Sequence, residues 1–454
     1  MAATDAGTIE RRTVSETVDA CNDAPSARVQ SSQSAISTTS CTGRERPLSA
    51  SPMAGATVNG KVIHTTVGAQ RHASVLRVDR SGEGVLASVT GRDLPTATPV
   101  GNHVTSATRP GRGGDVGHRA STEALPSGMA TGIGHLPHFD PGDAVEFVLR
   151  TTPRFPSAPA LPARSRREGM IAQGAVGLAG VTVAEDGSLT FDLDLLEPDA
   201  PLIDHDFAGD SWVGLRAFLT AVADRDGPIK VSVTGPVTLG VAFCAAGLDV
   251  DLAFRLAGSA VRQRVAALAA HVQRRVPQAQ LVVFIDEPAM GSLTERDFPI
   301  GPSEGIDLVS SSMAVVESTV ITGLHCCTAV DHRLLLATGP RILSVPVDQR
   351  ITLSPGLVAD FLERDGWIAW GAVPTDGPVG TTVDRLWRRL NLVWGELVAD
   401  GCDADLLRSN AIITPVCGLA HHGVTQAERV MEFTRSIARR VRGESPDLSL
   451  PVGA

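Results

Sequence analysis

The sequence predicts a single (β/α)8 TIM barrel with a small β insert, preceded by a disordered amino-terminal extension. Three observations point to it. From residue 130 onward, strand-like apolar runs alternate with helical periods, the pattern of parallel strands joined by crossover helices. Histidine, cysteine and acidic residues fall at the carboxyl ends of those runs, where such barrels carry their chemistry. Residues 1–128 contain no Phe, Trp or Tyr, and the first aromatic residue is Phe139.

The elements follow in chain order. Residues 1–128 are rich in Ser, Thr, Ala, Gly and Arg and show no sustained period. Without large apolar side chains such a segment cannot offset the entropy of ordering, so it is expected to be disordered. It has no apolar core for a signal peptide, and Asp5, Glu10, Glu16 and Asp19 argue against a transit peptide. Met129, just ahead of the first ordered-looking strand, is a candidate true start. The barrel is expected over 129–442 and a flexible tail over 443–454. Strand-like runs fall at 132–137, 229–234, 281–286, 319–325, 342–347, 367–373 and 411–416, with a shorter one near 158–161. Helical periods lie at 140–150, 212–224, 252–275, 355–364, 383–399 and 425–441. Asp140-Pro141 and Ser354-Pro355 each offer an N-cap followed by proline at the first helical position. Within 181–210, Glu185-Asp186-Gly187 predicts a hairpin turn, hence the small β insert.

Composition excludes several functions. A formal charge of −10 with no basic stripe argues against a nucleic-acid partner. No apolar run is long enough to span a membrane. The seven cysteines are Cys21, Cys41, Cys244, Cys326, Cys327, Cys402 and Cys417. An odd, scattered set without a secretory signal predicts reduced thiols and a cytoplasmic protein.

The chemistry-bearing stretch is 318–327, Ser-Thr-Val-Ile-Thr-Gly-Leu-His-Cys-Cys. His325 and Cys327 are two residues apart, so on an extended chain both face the same way. One imidazole and one thiolate on one face make half of a tetrahedral zinc site. Cys326 should face the core, unless a bulge exchanges it with Cys327. Cys417 repeats the pattern at the end of a second strand, in Ile413-Thr-Pro-Val-Cys417-Gly-Leu. Asp286 and Glu287 close a third, in Leu281-Val-Val-Phe-Ile-Asp-Glu-Pro288. Taken singly, each also fits a blander role, as a small buried cysteine or an acid at a strand terminus.

Several motifs in one order resemble the catalytic barrel of cobalamin-independent methionine synthase and its short actinobacterial and archaeal-type relatives. They are Gly132-Ile-Gly134-His-Leu-Pro137, Thr234-Gly-Pro-Val-Thr238, Ile285-Asp-Glu-Pro-Ala289, His325-Cys-Cys327 and Cys417-Gly-Leu419, spread over residues 130 to 442. The resemblance implies zinc held by His325, Cys327 and Cys417 with an acidic fourth ligand. It implies that Asp286, with Glu287 beside it, meets the amino group of a thiol amino acid such as homocysteine. The turn at Ile133 and Gly134 would receive the carboxylate, and Asp286 and His325 would be the catalytic pair. The reaction implied is an S-methyl transfer of the 5-methyltetrahydropteroyltriglutamate–homocysteine type. A small-molecule thiol would be the acceptor, and a methylated folate or a methyl-corrinoid protein the donor.

The sequence departs from the family at two points. The family's acidic ligand follows a Ser-Ile-Glu or Ser-Phe-Asp pattern, whereas Ser344-Val345 is followed here by Pro346, which cannot bind metal. Asp348, two residues on and on the same strand face, is the expected replacement. The usual Gly-Ser of the first loop is Gly134-His135. Beside the zinc thiol methyltransferase stand a corrinoid-linked methyltransferase or a uroporphyrinogen-decarboxylase-like enzyme, and a barrel that only binds a small molecule.

Overall fold

A computed structural model describes residues 125–444, which belong to one unit of the chain. The extension expected over 1–128 lies outside the described residues as far as residue 124, and the expected tail lies outside them beyond residue 444.

Nine strands and eleven α-helices alternate along the described residues. The first are β1 (Met129–Ala130), α1 (Pro141–Thr151), α2 (Met170–Ala175), β2 (Val181–Val183), β3 (Leu189–Phe191), α3 (Val213–Ala221), β4 (Pro228–Thr234), α4 (Pro236–Ala245) and α5 (Val250–Arg275). There follow β5 (Gln280–Asp286), α6 (Pro302–Ala314), β6 (Ile321–His325), α7 (His332–Ala337), β7 (Ile342–Pro346), α8 (Pro355–Glu363) and β8 (Trp367–Val373). The last are α9 (Val383–Ala399), α10 (Ala404–Ser409), β9 (Ala411–Pro415) and α11 (Val424–Val441). The caps are local chemistry. Asp140 accepts from the Gly142 and Asp143 amides, with Pro141 opening α1, and Asp249 likewise caps α5. None of the helices is long and apolar enough to cross a membrane.

Seven strands form one parallel sheet in the order β1, β9, β8, β7, β6, β5, β4. The eighth expected strand, near 158–161, is not part of that ladder. Residues 156–160 instead make isolated links to both sheet edges. Ala160 N donates to Gly134 O at 3.1 Å and Leu136 N to Ala160 O at 2.9 Å; Ala158 N donates to Lys230 O at 2.8 Å and Lys230 N to Pro156 O at 2.9 Å. Pro156, Pro159 and Pro162 lack the N–H groups a longer ladder needs. The first strand also differs from expectation. It lies at Met129–Ala130, paired with Ile412 and Ile413, and not at 132–137. Gly132 and Gly134, the latter at φ +141°, end the extended run. Met129 is therefore inside the first strand, and Leu125 ahead of it is already buried. The insert is as expected, an antiparallel β2–β3 hairpin with Gly187 at φ +84° in the turn.

Strand alternation divides the core in two. Val282 and Phe284, Ile342, Trp367 and Ala369, and Ile412 face the concave side, where they pack with Leu125, Met129 and Phe155. Val283 and Ile285, Leu324, Leu343 and Val345, Ile368 and Trp370, and Ile413 face the helices. The concave-side series continues upward along three strands into polar residues, Asp286 on β5, His325 on β6 and Ser344 on β7. An apolar floor thus lies beneath a polar rim.

Candidate metal centre

Register sets one layer of this rim. Thr234 pairs with Asp286, Asp286 with His325, and His325 with Ser344, across four consecutive strands. Cys327 lies two residues beyond His325, and Cys417 follows the end of β9. The ligand atoms of His325, Cys327 and Cys417 all lie within 4.8 Å of one another. His325 is buried and the two cysteines are half-buried. Cys326, between them, is wholly buried on the helix side, with its sulfur 3.3 Å from Thr328 Oγ1.

The histidine is oriented for ligation. Its Nδ1 lies 2.9 Å from Ser344 Oγ, while Nε2 is buried without a partner. With Nδ1 as the donor, the Nε2 lone pair is free for a metal, the tautomer that supported metal-binding histidines adopt. The sulfurs of Cys327 and Cys417 are 3.4 Å apart, close enough to share a proton. That bond, with His325 beside it, pulls the Cys417 thiol well below its ordinary range, while the same bond and burial push the Cys327 thiol up. An imidazole and two thiols with an orphaned ring nitrogen fit a zinc ion, which takes nitrogen and sulfur donors in tetrahedral array.

Asp286 is buried beside this cluster, and its Oδ1 has no partner. Burial pushes its carboxyl up, against the opposing pull of Lys230, His325 and His135. Gly134 and Asp286 both line a small cavity of about 40 Å³, together with His135, Ser232 and Thr234. His135 is held there by its carbonyl, which accepts from Leu419 N at 2.8 Å, and its Nε2 is also buried without a partner.

Two expected site residues stand elsewhere. Glu287 faces the helix layer. Its Oε1 accepts from Val237 N at 2.8 Å, and its Oε2 from Thr238 N at 2.8 Å and Thr238 Oγ1 at 2.6 Å. It is an N-terminal cap for α4, and both carboxylate oxygens are engaged. The physical reason is the strand period, since the residue after inward Asp286 must point outward. Asp348 is not in the metal cluster either. After Pro346 the chain leaves β7 for a 3-10 turn at Gln349–Leu353, which Asp348 caps through Arg350 N at 2.9 Å while its Oδ2 meets the Arg350 guanidinium at 2.8 Å. Ser344 and Lys230 were not singled out by the sequence, because cross-strand register is not written in local spacing. His422, five residues beyond Cys417, is engaged through Nε2 with Thr375 O at 3.0 Å.

No family model matches the chain, and no curated protein matches it. Solved structures do. One is a B12-independent methionine synthase from Shewanella sp. W3-18-1 in complex with selenomethionine, 13% identical, with 71% of this chain and 99% of that chain covered at a TM-score of 0.45. Another is a putative vitamin-B12 independent methionine synthase from Listeria monocytogenes, 12% identical, with 68% and 86% covered at a TM-score of 0.45.

Proposed function

We propose that this chain is a zinc-dependent methyltransferase that moves a methyl group onto a thiol, with homocysteine as the acceptor and methionine as the product. The observation that carries the reading is the His325–Cys327–Cys417 cluster, three donors within 4.8 Å at the carboxyl ends of two strands of one sheet. In the same reading the sheet closes as an eight-stranded barrel through residues 156–160, whose bonds reach both Gly134 and Lys230.

His325 through Nε2, Cys327 and Cys417 would hold the zinc, with Ser344 fixing the imidazole. Zinc held there would supply Lewis acidity, lowering the pKa of an incoming thiol, otherwise near 8.5, toward a nucleophilic thiolate at neutral pH. With only three protein ligands, the metal would have room for that thiol. Asp286, with its unpaired oxygen, receives the substrate ammonium, and the Ile133–Gly134 turn receives the carboxylate. The apolar floor keeps water from beneath the reacting sulfur.

The reading is tested by incubating the full chain, loaded with zinc, with homocysteine and either a methylated folate or a methyl-corrinoid protein. Methionine formation that disappears in Cys327→Ser is expected. No methionine with either donor overturns the reading.

A further inference from the structure

Lys230 is one of the largest wholly buried side chains among the described residues. It rises from β4 on the concave side, where Phe284 presents its ring 4.7 Å from Nζ. A buried ammonium is costly unless its hydrogens are satisfied. Here Nζ donates to Ile133 O at 2.6 Å and to Gly132 O at 3.0 Å, and Ser232 Oγ adds a longer bond to Ile133 O at 3.4 Å. Among the described residues no carboxylate lies within ion-pair distance of it. The acid that faces it is Asp286, itself with a free oxygen.

The clamped carbonyls belong to the peptide groups whose other ends are the Ile133 and Gly134 amides. Those two N–H groups donate to no other described residue. A cation on a carbonyl oxygen draws electrons through the peptide and makes its N–H a stronger donor. Successive free amides in a turn, here with Gly134 at φ +141°, are donors that an anion can use. Gly134 of this turn and Asp286 border the same cavity of about 40 Å³. The site therefore has a donor pole backed by a cation and an acceptor pole that is an anion, held apart rather than bonded to each other. The two poles match the opposite charges of a zwitterion.

We infer that Lys230 is a positioning residue for an α-amino-acid ligand. Its ammonium, seated on the Gly132 and Ile133 carbonyls, fixes and polarises the 132–134 turn as the carboxylate pole opposite Asp286. The inference rests on the thiol-methyltransferase reading and adds a residue to it.

The test uses the full chain loaded with cobalt(II), whose absorption changes when a thiol sulfur joins the metal. Homocysteine is compared with 1-propanethiol, which has no head group, in wild type and in Lys230→Met and Lys230→Arg. Homocysteine binding should weaken about tenfold or more in Lys230→Met. Propanethiol binding should be unchanged, and Lys230→Arg should recover most of the difference. Should Lys230→Met not fold, Lys230→Gln, which keeps a donor for the carbonyls without the charge, is read in the same way. Equal homocysteine binding in wild type and variant overturns the inference, as does an equal loss for both thiols. A wild-type spectrum that responds to neither thiol overturns the methyltransferase reading, and this inference with it.

Discussion

His325 Nδ1 and Ser344 Oγ are 2.9 Å apart on adjacent strands, paired in register, and that bond points the other ring nitrogen at two cysteine sulfurs. Removing such a support costs metal affinity without removing a ligand. Ser344→Ala is expected to weaken zinc binding by about ten- to a hundredfold, measured by competition with a chelating dye, with the fold retained.

The opposite outcome is expected for Asp348. Its carboxylate is spent on Arg350 and on capping a short 3-10 turn. Asp348→Ala should leave zinc content unchanged and cost about 1 kcal/mol of stability through the lost cap. Loss of zinc in this variant would place Asp348 at the metal after all.

What the sequence makes legible here is set by period. Side chains alternate along a strand, so His325 and Cys327 must share a face, and Cys326 must leave it. The same rule separates inward Asp286 from outward Glu287. Asp348 shares the parity of Ser344 and Pro346, but parity holds only while the chain stays extended, and β7 stops at Pro346. Ser344 and Lys230 depend on which strand lies beside which and in what register, a non-local fact. Helix α4 is apolar on every side, so it shows no amphipathic period to betray it.

Glu287 gives the fold a pH dependence. Burial raises its carboxyl to about 7, despite three hydrogen bonds that favour the charged form. The folded chain therefore holds this proton more tightly than the unfolded chain, whose value is near 4.5. The stability it contributes is complete below about 4.5 and is lost as pH rises through about 7. Urea unfolding at pH 5 and pH 8 should show a difference on the order of 2 kcal/mol from this group. Glu287→Gln, neutral throughout, should remove that difference.

Gly323, midway along β6 on the concave side, lies against the Phe284 ring, which a Cβ would approach to 2.7 Å. Phe284 is part of the floor beneath Asp286 and cannot retreat without disturbing Val282 and Trp367 around it. Gly323→Ala is expected to cost about 1–3 kcal/mol in urea unfolding. An unchanged midpoint would mean that the floor is looser than its burial implies.

The most direct test of the account is the zinc content of the full chain purified under reducing conditions, set beside that of Cys327→Ser. About one zinc per chain in the wild type, lost in the variant, is the predicted result. No zinc in either protein, or zinc retained undiminished by Cys327→Ser, would contradict it.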